Sequence, residues 1–182
     1  VELGHSQSTQ SAATITMQAG SNTVGDGGSV MLQSGISSTS SSGEVLVSSS
    51  ASPASGAVKV TTGDATAEES GDVRVATGAA PMGHSGSVNV VTGDASTAGD
   101  ISLTVGTSSQ GEGAAVTIVA GASGSGVGGN VNLVSGASDA AQSGSVSLRT
   151  AGSTTSGDIR IETGDSTDVA GDIILHAGQS TA

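Results

Sequence analysis

The sequence predicts an all-β fold, a single-domain β-solenoid (a flattened parallel β-helix) of about 13 coils with 13–15 residues each. Three observations lead to this prediction. The motif Gly-[Asp/Ser]-Val-x-[Val/Leu]-x-[Thr/Ser]-Gly recurs through the chain, as in GDVRVATG and GDIILHAG. Apolar residues within each copy alternate with other residues at the period of a strand. Phe, Tyr and Trp are absent, so a core must be thin enough for small aliphatic residues to fill it.

Each repeat begins its predicted strand at one apolar residue, which we call the anchor. The first anchor is Val1, and successive anchors follow at spacings of 13–15 residues. Because a stacked repeat places equivalent residues above one another, the anchors are expected to form the core. The remaining anchors are Ile15, Val30, Val45, Val58, Val73, Val88, Ile101, Val116, Val131, Val146, Ile159 and Ile173.

Alternation within a repeat predicts which residues point inward. The anchor and the residues two and four positions later share one side of a strand and read large, large, small, as in Val131, Leu133 and Ser135. Gly usually stands two before and five after the anchor, which predicts corners that need positive φ or close approach. Seven after the anchor, Ser or Ala is expected to point inward from a second, weaker strand. Pro53 and Pro81, each eight after an anchor, are expected at unpaired corners.

The alternative arrangement is an antiparallel β-meander with loops of roughly eight residues. The solenoid is favoured because the connecting segments keep position-specific residues, as stacking requires. Residues 1–182 are predicted to form one β-solenoid repeat domain. Neither end carries a helix or a charged plug, so the repeat is expected to be uncapped at both ends, as in a segment of a longer array.

Composition excludes several classes of partner. The net charge is −12, with 16 acidic residues against 4 basic ones, which disfavours binding to nucleic acid. No run of about 20 apolar residues occurs, so no membrane insertion is expected. The chain has no cysteine for a disulfide. Ser and Thr number 54, and they are candidate acceptors for O-linked glycans.

Neither a metal site, a cofactor nor a catalytic centre is predicted. The position before the anchor often holds Asp (Asp72, Asp100, Asp158 and Asp172), and Gly-Asp repeats occur in calcium-binding coils. Other repeats hold Ser or Asn there, however, and the shared property is to accept a hydrogen bond from a corner N–H. The histidines have no acid or nucleophile at a fixed offset, so no enzyme is expected.

The four cations share one predicted face. They lie one or three residues after an anchor, on the side predicted to point outward, together with several aliphatic residues. We interpret this side as a candidate lateral contact face for a second copy, whereas the alternative is a solvated sheet with ordinary surface hydrophobics. The residues of this candidate lateral contact face are Lys59, Arg74, Arg149, Arg160, Met31, Leu46, Val91, Val119, Val134 and Ile174.

The segments GDVRVATG and GDIILHAG resemble the β-helical repeats of filamentous-haemagglutinin-type adhesins and the Ser/Gly-rich repeat tracts of algal and oomycete cell-surface filament proteins. The resemblance implies an extracellular or cell-surface location and a structural or adhesive role. Together with the uncapped ends, it predicts a non-catalytic subunit or segment of an extracellular filament that assembles with itself by end-to-end stacking and side contacts. The alternative is an adhesin stalk, or an ice- or glycan-binding β-solenoid that uses a flat outward face.

Overall fold

No residue between 14 and 179 lies in a helix or a β-strand in the computed structural model, which describes this part of the chain. The predicted all-β class is therefore wrong, and with it both the β-solenoid and the antiparallel meander. Contacts divide the chain into two units, Val1–Val91 and Thr92–Ala182. Val1 and the two predicted uncapped ends lie outside the described residues.

Backbone hydrogen bonds are few. A folded domain holds roughly two-thirds of a backbone–backbone hydrogen bond per residue, whereas the described residues make five in all. Four of these join two glycines eight residues apart across a loop. In each, the later N–H donates to the earlier carbonyl: Gly28 to Gly20 at 2.9 Å, Gly43 to Gly35 at 3.0 Å, Gly129 to Gly121 at 2.9 Å and Gly144 to Gly136 at 2.9 Å.

The predicted core is also absent from the described residues, none of which is buried. The anchors are less exposed, at 48–63%, than the aliphatic residues of the candidate lateral contact face, at 75–87%, whereas the residues two after the anchors are 64–91% exposed. The anchors that form no core are Ile15, Val30, Val45, Val58, Val73, Val88, Ile101, Val116, Val131, Val146, Ile159 and Ile173.

The physical reason is that each repeat offers little apolar surface for the backbone it must order. On its predicted inward side, a repeat of 13–15 residues supplies two large apolar side chains, at the anchor and two residues later, and much of the rest of the repeat is Gly, Ser and Thr. Ordering each residue loses conformational entropy, most of all for Gly. Pairing two repeats also requires closing the loop between them before any apolar contact forms. Within one copy of the chain, the alternation therefore does not become a paired sheet.

Bends recur at one position of the repeat. Every loop between successive anchors from Ile15 to Ile173 bends eight residues after the earlier anchor. The bend covers three residues where the anchors are 15 apart and two where they are 13 or 14 apart, so it accounts for one residue of the variation in repeat length. Pro53 and Pro81 stand at the first residue of two bends, as predicted. At Pro81 the chain makes a hydrogen-bonded turn, in which Gly83 N–H donates to the Ala80 carbonyl at 3.2 Å.

The base of each loop explains why the last residue of the large, large, small triplet is small. A Cβ placed on Gly129 would lie 3.2 Å from the Gly121 nitrogen and 3.4 Å from the Ala120 Cβ. Ala120 is four residues after its anchor, and the same position faces the glycine of the next repeat in eight other loops. The eight pairs are Gly28–Ala19, Gly43–Ser34, Gly56–Ser49, Gly71–Thr62, Gly86–Thr77, Gly144–Ser135, Gly157–Thr150 and Gly171–Thr163.

The two classes of glycine therefore differ. Nine of the ten glycines two before an anchor have an atom within 4 Å of an added Cβ, and the contacts are closest at Gly28, Gly43, Gly129 and Gly144. Gly99 has none, and neither do the glycines five after the anchor, such as Gly121. Positive φ, the other predicted reason for these glycines, occurs among the described residues at Gly111 alone, with φ 86°. Gly111 belongs to neither class and lies in a bend.

This difference makes a matched pair of substitutions informative. Gly129→Ala should break the hydrogen bond from residue 129 N–H to the Gly121 carbonyl, because the added methyl group meets backbone atoms at 3.2–3.4 Å. Gly121→Ala should leave the bond intact, since its Cβ enters open space and φ is not positive. The measurement is the exchange rate of the residue 129 amide by NMR. Equal exchange rates in the two variants would contradict the structure of the loop base.

Candidate functional site

Side chains on alternate residues lie on opposite sides of each repeat, even without strand pairing. Ser102 and Thr104, one and three residues after an anchor, bring their hydroxyls to 3.3 Å. Arg160 and Glu162, at the same two positions of another repeat, form an ion pair with a 2.5 Å contact. In these two repeats the residues one and three after the anchor share a side. Because side chains alternate along an extended backbone, we assign the anchor and the residue two after it to the other side. We call the set of anchors and residues two after them, from Ile15 to Leu175, the apolar strip.

The candidate lateral contact face is exposed to solvent. Its four cations and six aliphatic residues are exposed throughout, and the side chain of Arg160 is 80% exposed. Its ion pair with Glu162 is open to solvent, where such a pair contributes little to stability. A role for this face in association stays a prediction.

The apolar strip differs from that face in charge. It contains no charged residue in any of the twelve repeats from Ile15 to Leu175. Its large side chains are nevertheless 48–91% exposed. The positions one and three after the anchor hold all four cations together with Glu162, His176 and many hydroxyl and amide groups. The strip is therefore the more apolar of the two sides, and no described part of the chain buries it.

In several loops a side chain caps the loop by accepting hydrogen bonds from backbone N–H groups. The side-chain oxygen seven residues after the anchor accepts backbone N–H bonds in five loops. Ser123 Oγ, for example, accepts from Gly126 N–H at 2.8 Å and from Ser125 N–H at 3.4 Å. The other four acceptors are Asn22, Ser37, Ser138 and Ser166.

This position was expected to point inward from a second strand, and that expectation is wrong. Its Ser and Asn side chains form local turns instead. The sequence predicted that the residue directly before the anchor, often Asp, would accept hydrogen bonds from the loop backbone. In the described residues the position seven after the anchor accepts them instead. The signal was present in the sequence, because an Asn or Ser stands directly before the bend in most repeats. Ser108, at the same position, donates to the Glu112 carbonyl at 2.9 Å, so in its loop the side chain is the hydrogen-bond donor and the backbone is the acceptor.

The most acidic loop carries a depression that is largely open to solvent. It is lined by Thr62, Gly63, Asp64, Ala65, Glu68 and Ser70. Small-molecule sites are usually concave and bury most of their ligand, which this depression does not provide. Among residues 14–179, no three His, Asp or Glu side chains come close enough together to hold a metal ion. That part of the chain also has no helix with the length and hydropathy to cross a bilayer.

No protein-family model, curated protein or solved structure matches this chain. The likeness to adhesin and cell-surface filament repeats therefore rests on the motif alone and stays a prediction.

The capping position can be tested within one loop. Ser123→Ala removes the acceptor for the Gly126 and Ser125 amides and should weaken the closed loop by about 0.5–1 kcal/mol, a twofold to fivefold shift toward the open form. The measurement is the exchange rate and temperature coefficient of the Gly126 amide by NMR. Ser125→Ala is the matched control, because it removes a hydroxyl from the same loop and leaves the Ser123 Oγ in place. A Gly126 amide unaffected by Ser123→Ala would exclude the cap.

Proposed function

We propose that this chain is a non-catalytic structural subunit or segment that assembles with further copies of itself into a filament. The observation that carries the proposal is the combination of a regular apolar repeat with the lack of any buried residue between 14 and 179. A repeat whose apolar side chains recur at fixed spacing, yet remain exposed in a single copy, needs neighbours to cover them.

The size of the exposed surface supports this proposal. The chain exposes 18487 Å². Two separate compact domains, each of half the chain's mass, would together expose roughly 9,300 Å², and the unfolded chain about 24,600 Å². The excess over the compact value is therefore roughly 9,000 Å² for one copy, whereas one partner contributes about 800 Å² to a standard protein–protein interface. Several interfaces of that size are needed to bring the chain to the exposure of a folded protein.

The location is proposed on narrower grounds. An extracellular or cell-surface filament follows from the motif resemblance, and O-linked glycans on the exposed hydroxyls remain a prediction. The adhesin stalk and the ice- or glycan-binding solenoid required a flat solenoid face, so the correction of the fold removes their support.

Direct observation of the purified chain tests the proposal. We expect sedimentation velocity between 1 and 100 µM to show mass growing with concentration, and electron microscopy at the upper end to show elongated assemblies. The physical reason is the exposed apolar surface, whose burial requires other copies. A chain that sediments as a monomer throughout this range, and shows no assemblies in the images, would refute the proposal.

Salt should strengthen the association. Each copy carries a net charge of −12, and copies therefore repel one another, over a range that falls to about 10 Å at 0.1 M salt. We expect the association constant from sedimentation to rise severalfold between 20 and 300 mM NaCl.

The control for the salt effect reduces the charge directly. The variant Glu68→Gln/Glu69→Gln has a net charge of −10 in place of −12, so it should associate more strongly at 20 mM NaCl and respond less to salt. Association that weakens with salt would mean that attraction between cations and carboxylates drives it.

A further inference from the structure

We propose that the apolar strip, rather than the cationic side of the repeat, is the surface that a second copy of the chain covers. This inference rests on the proposed self-assembly and names the face that performs it. The two sides of each repeat carry different chemistry, and their exposed area, charge and geometry favour the strip as the contact.

The first argument is charge. A second copy brings the same net charge of −12, so a contact surface that is itself uncharged avoids burying unpaired carboxylates. The apolar strip has no charged residue in any described repeat. The other side would have to bury Lys59, Arg74 and Arg149, and the exposed Arg160–Glu162 pair as well.

The second argument is polar satisfaction. On the cationic side, the Ser102 and Thr104 hydroxyls bond each other and Arg160 bonds Glu162. Burying that side would take these groups out of water and leave their remaining hydrogen-bonding capacity unmet. The side chains of the strip are aliphatic, apart from the thioether of Met17, and they lose no hydrogen bonds to water when they are buried.

The third argument is area. The strip comprises 24 large aliphatic or Met side chains over the twelve described repeats, each between 48% and 91% exposed. Each of the two units carries twelve of them, and at roughly 50 Å² of apolar surface each, one unit offers about 600 Å² of the roughly 800 Å² that each partner gives to a standard interface. The same chemistry recurs in every repeat, so the strip of one copy is complementary to the strip of another, as a contact between identical chains requires.

Three repeats allow a matched test. The triple variant Val88→Thr/Val116→Thr/Val131→Thr replaces three strip residues that are 56%, 59% and 63% exposed. The control Val91→Thr/Val119→Thr/Val134→Thr makes the same change three residues later in the same repeats, at side chains that are 83%, 82% and 87% exposed. Both variants keep the side-chain volume and the net charge.

We expect the strip variant to raise the concentration needed for association at least tenfold, as measured by sedimentation velocity, and the control to change it less than twofold. A general effect of surface hydrophobicity would act more strongly on the control, whose side chains are the more exposed. Equal effects, or a larger effect of the control, would overturn the inference, and the latter would assign the contact to the candidate lateral contact face.

A second measurement does not depend on how substitution affects the order of the chain. The chain has no cysteine, so Val88→Cys and Val91→Cys each introduce a single thiol. Alkylation by iodoacetamide should slow at least fivefold for residue 88 between 1 and 100 µM protein, and stay constant for residue 91. Protection of residue 88 that does not depend on concentration would mean that its own chain covers the strip, and would overturn the inference.

The outcomes separate this inference from the proposed function. If the unsubstituted chain remains monomeric, both fail. If it associates but the strip variant associates equally well, only the assignment of the face fails.

Discussion

The structure depends on one constraint, which is the small number of side chains that each repeat can bury. On the side of the anchors, two large apolar residues serve 13–15 residues of backbone, and no aromatic residue adds area. Structural features that depend only on residues close together in sequence still form despite this small apolar surface. The alternation of sides is one, as the Ser102–Thr104 and Arg160–Glu162 contacts show. Strand ladders depend on pairing between repeats, and the entropy of ordering those repeats prevents them from forming within one copy.

The order that a single copy does achieve is concentrated at the bases of its loops. There a glycine lies against the small residue that ends the preceding triplet, as Gly129 does against Ala120. The residue that caps the loop stands three residues after this small residue, as Ser123 does after Ala120, and the bend begins directly after the cap. Each of these contacts closes only a short segment, which loses little loop entropy. The loops can therefore be regular while the apolar strip between them remains uncovered.

The sequence allowed the local features to be predicted and not the fold. Periodicity located the bends at Pro53 and Pro81 and the close approach of glycines such as Gly129. The prediction of an all-β fold was wrong because a repeat pattern shows only that equivalent residues could pack against one another. It does not show that the free energy of pairing them within one copy exceeds the entropy cost of ordering the repeats. The cap at Ser123 was misassigned because both Ser and Ala occur at that position in different repeats, as they would at the small inward position of a strand. The missed signal was its place next to the bend.

A uniform strip raises the question of how two copies choose their alignment. If every repeat presents the same apolar pair, a shift by one repeat preserves most strip contacts, and such a surface specifies register weakly. The loops differ where the strip does not. Pro53 and Pro81 stiffen two bends, Gly111 gives one loop a left-handed residue, and carboxylates crowd the loop of Glu68 and Glu69. In any shifted alignment these loops meet different partners, and like charges brought together penalise the wrong ones. If the strip is the contact that we propose, it would provide the attraction between copies, and the loops would provide the register.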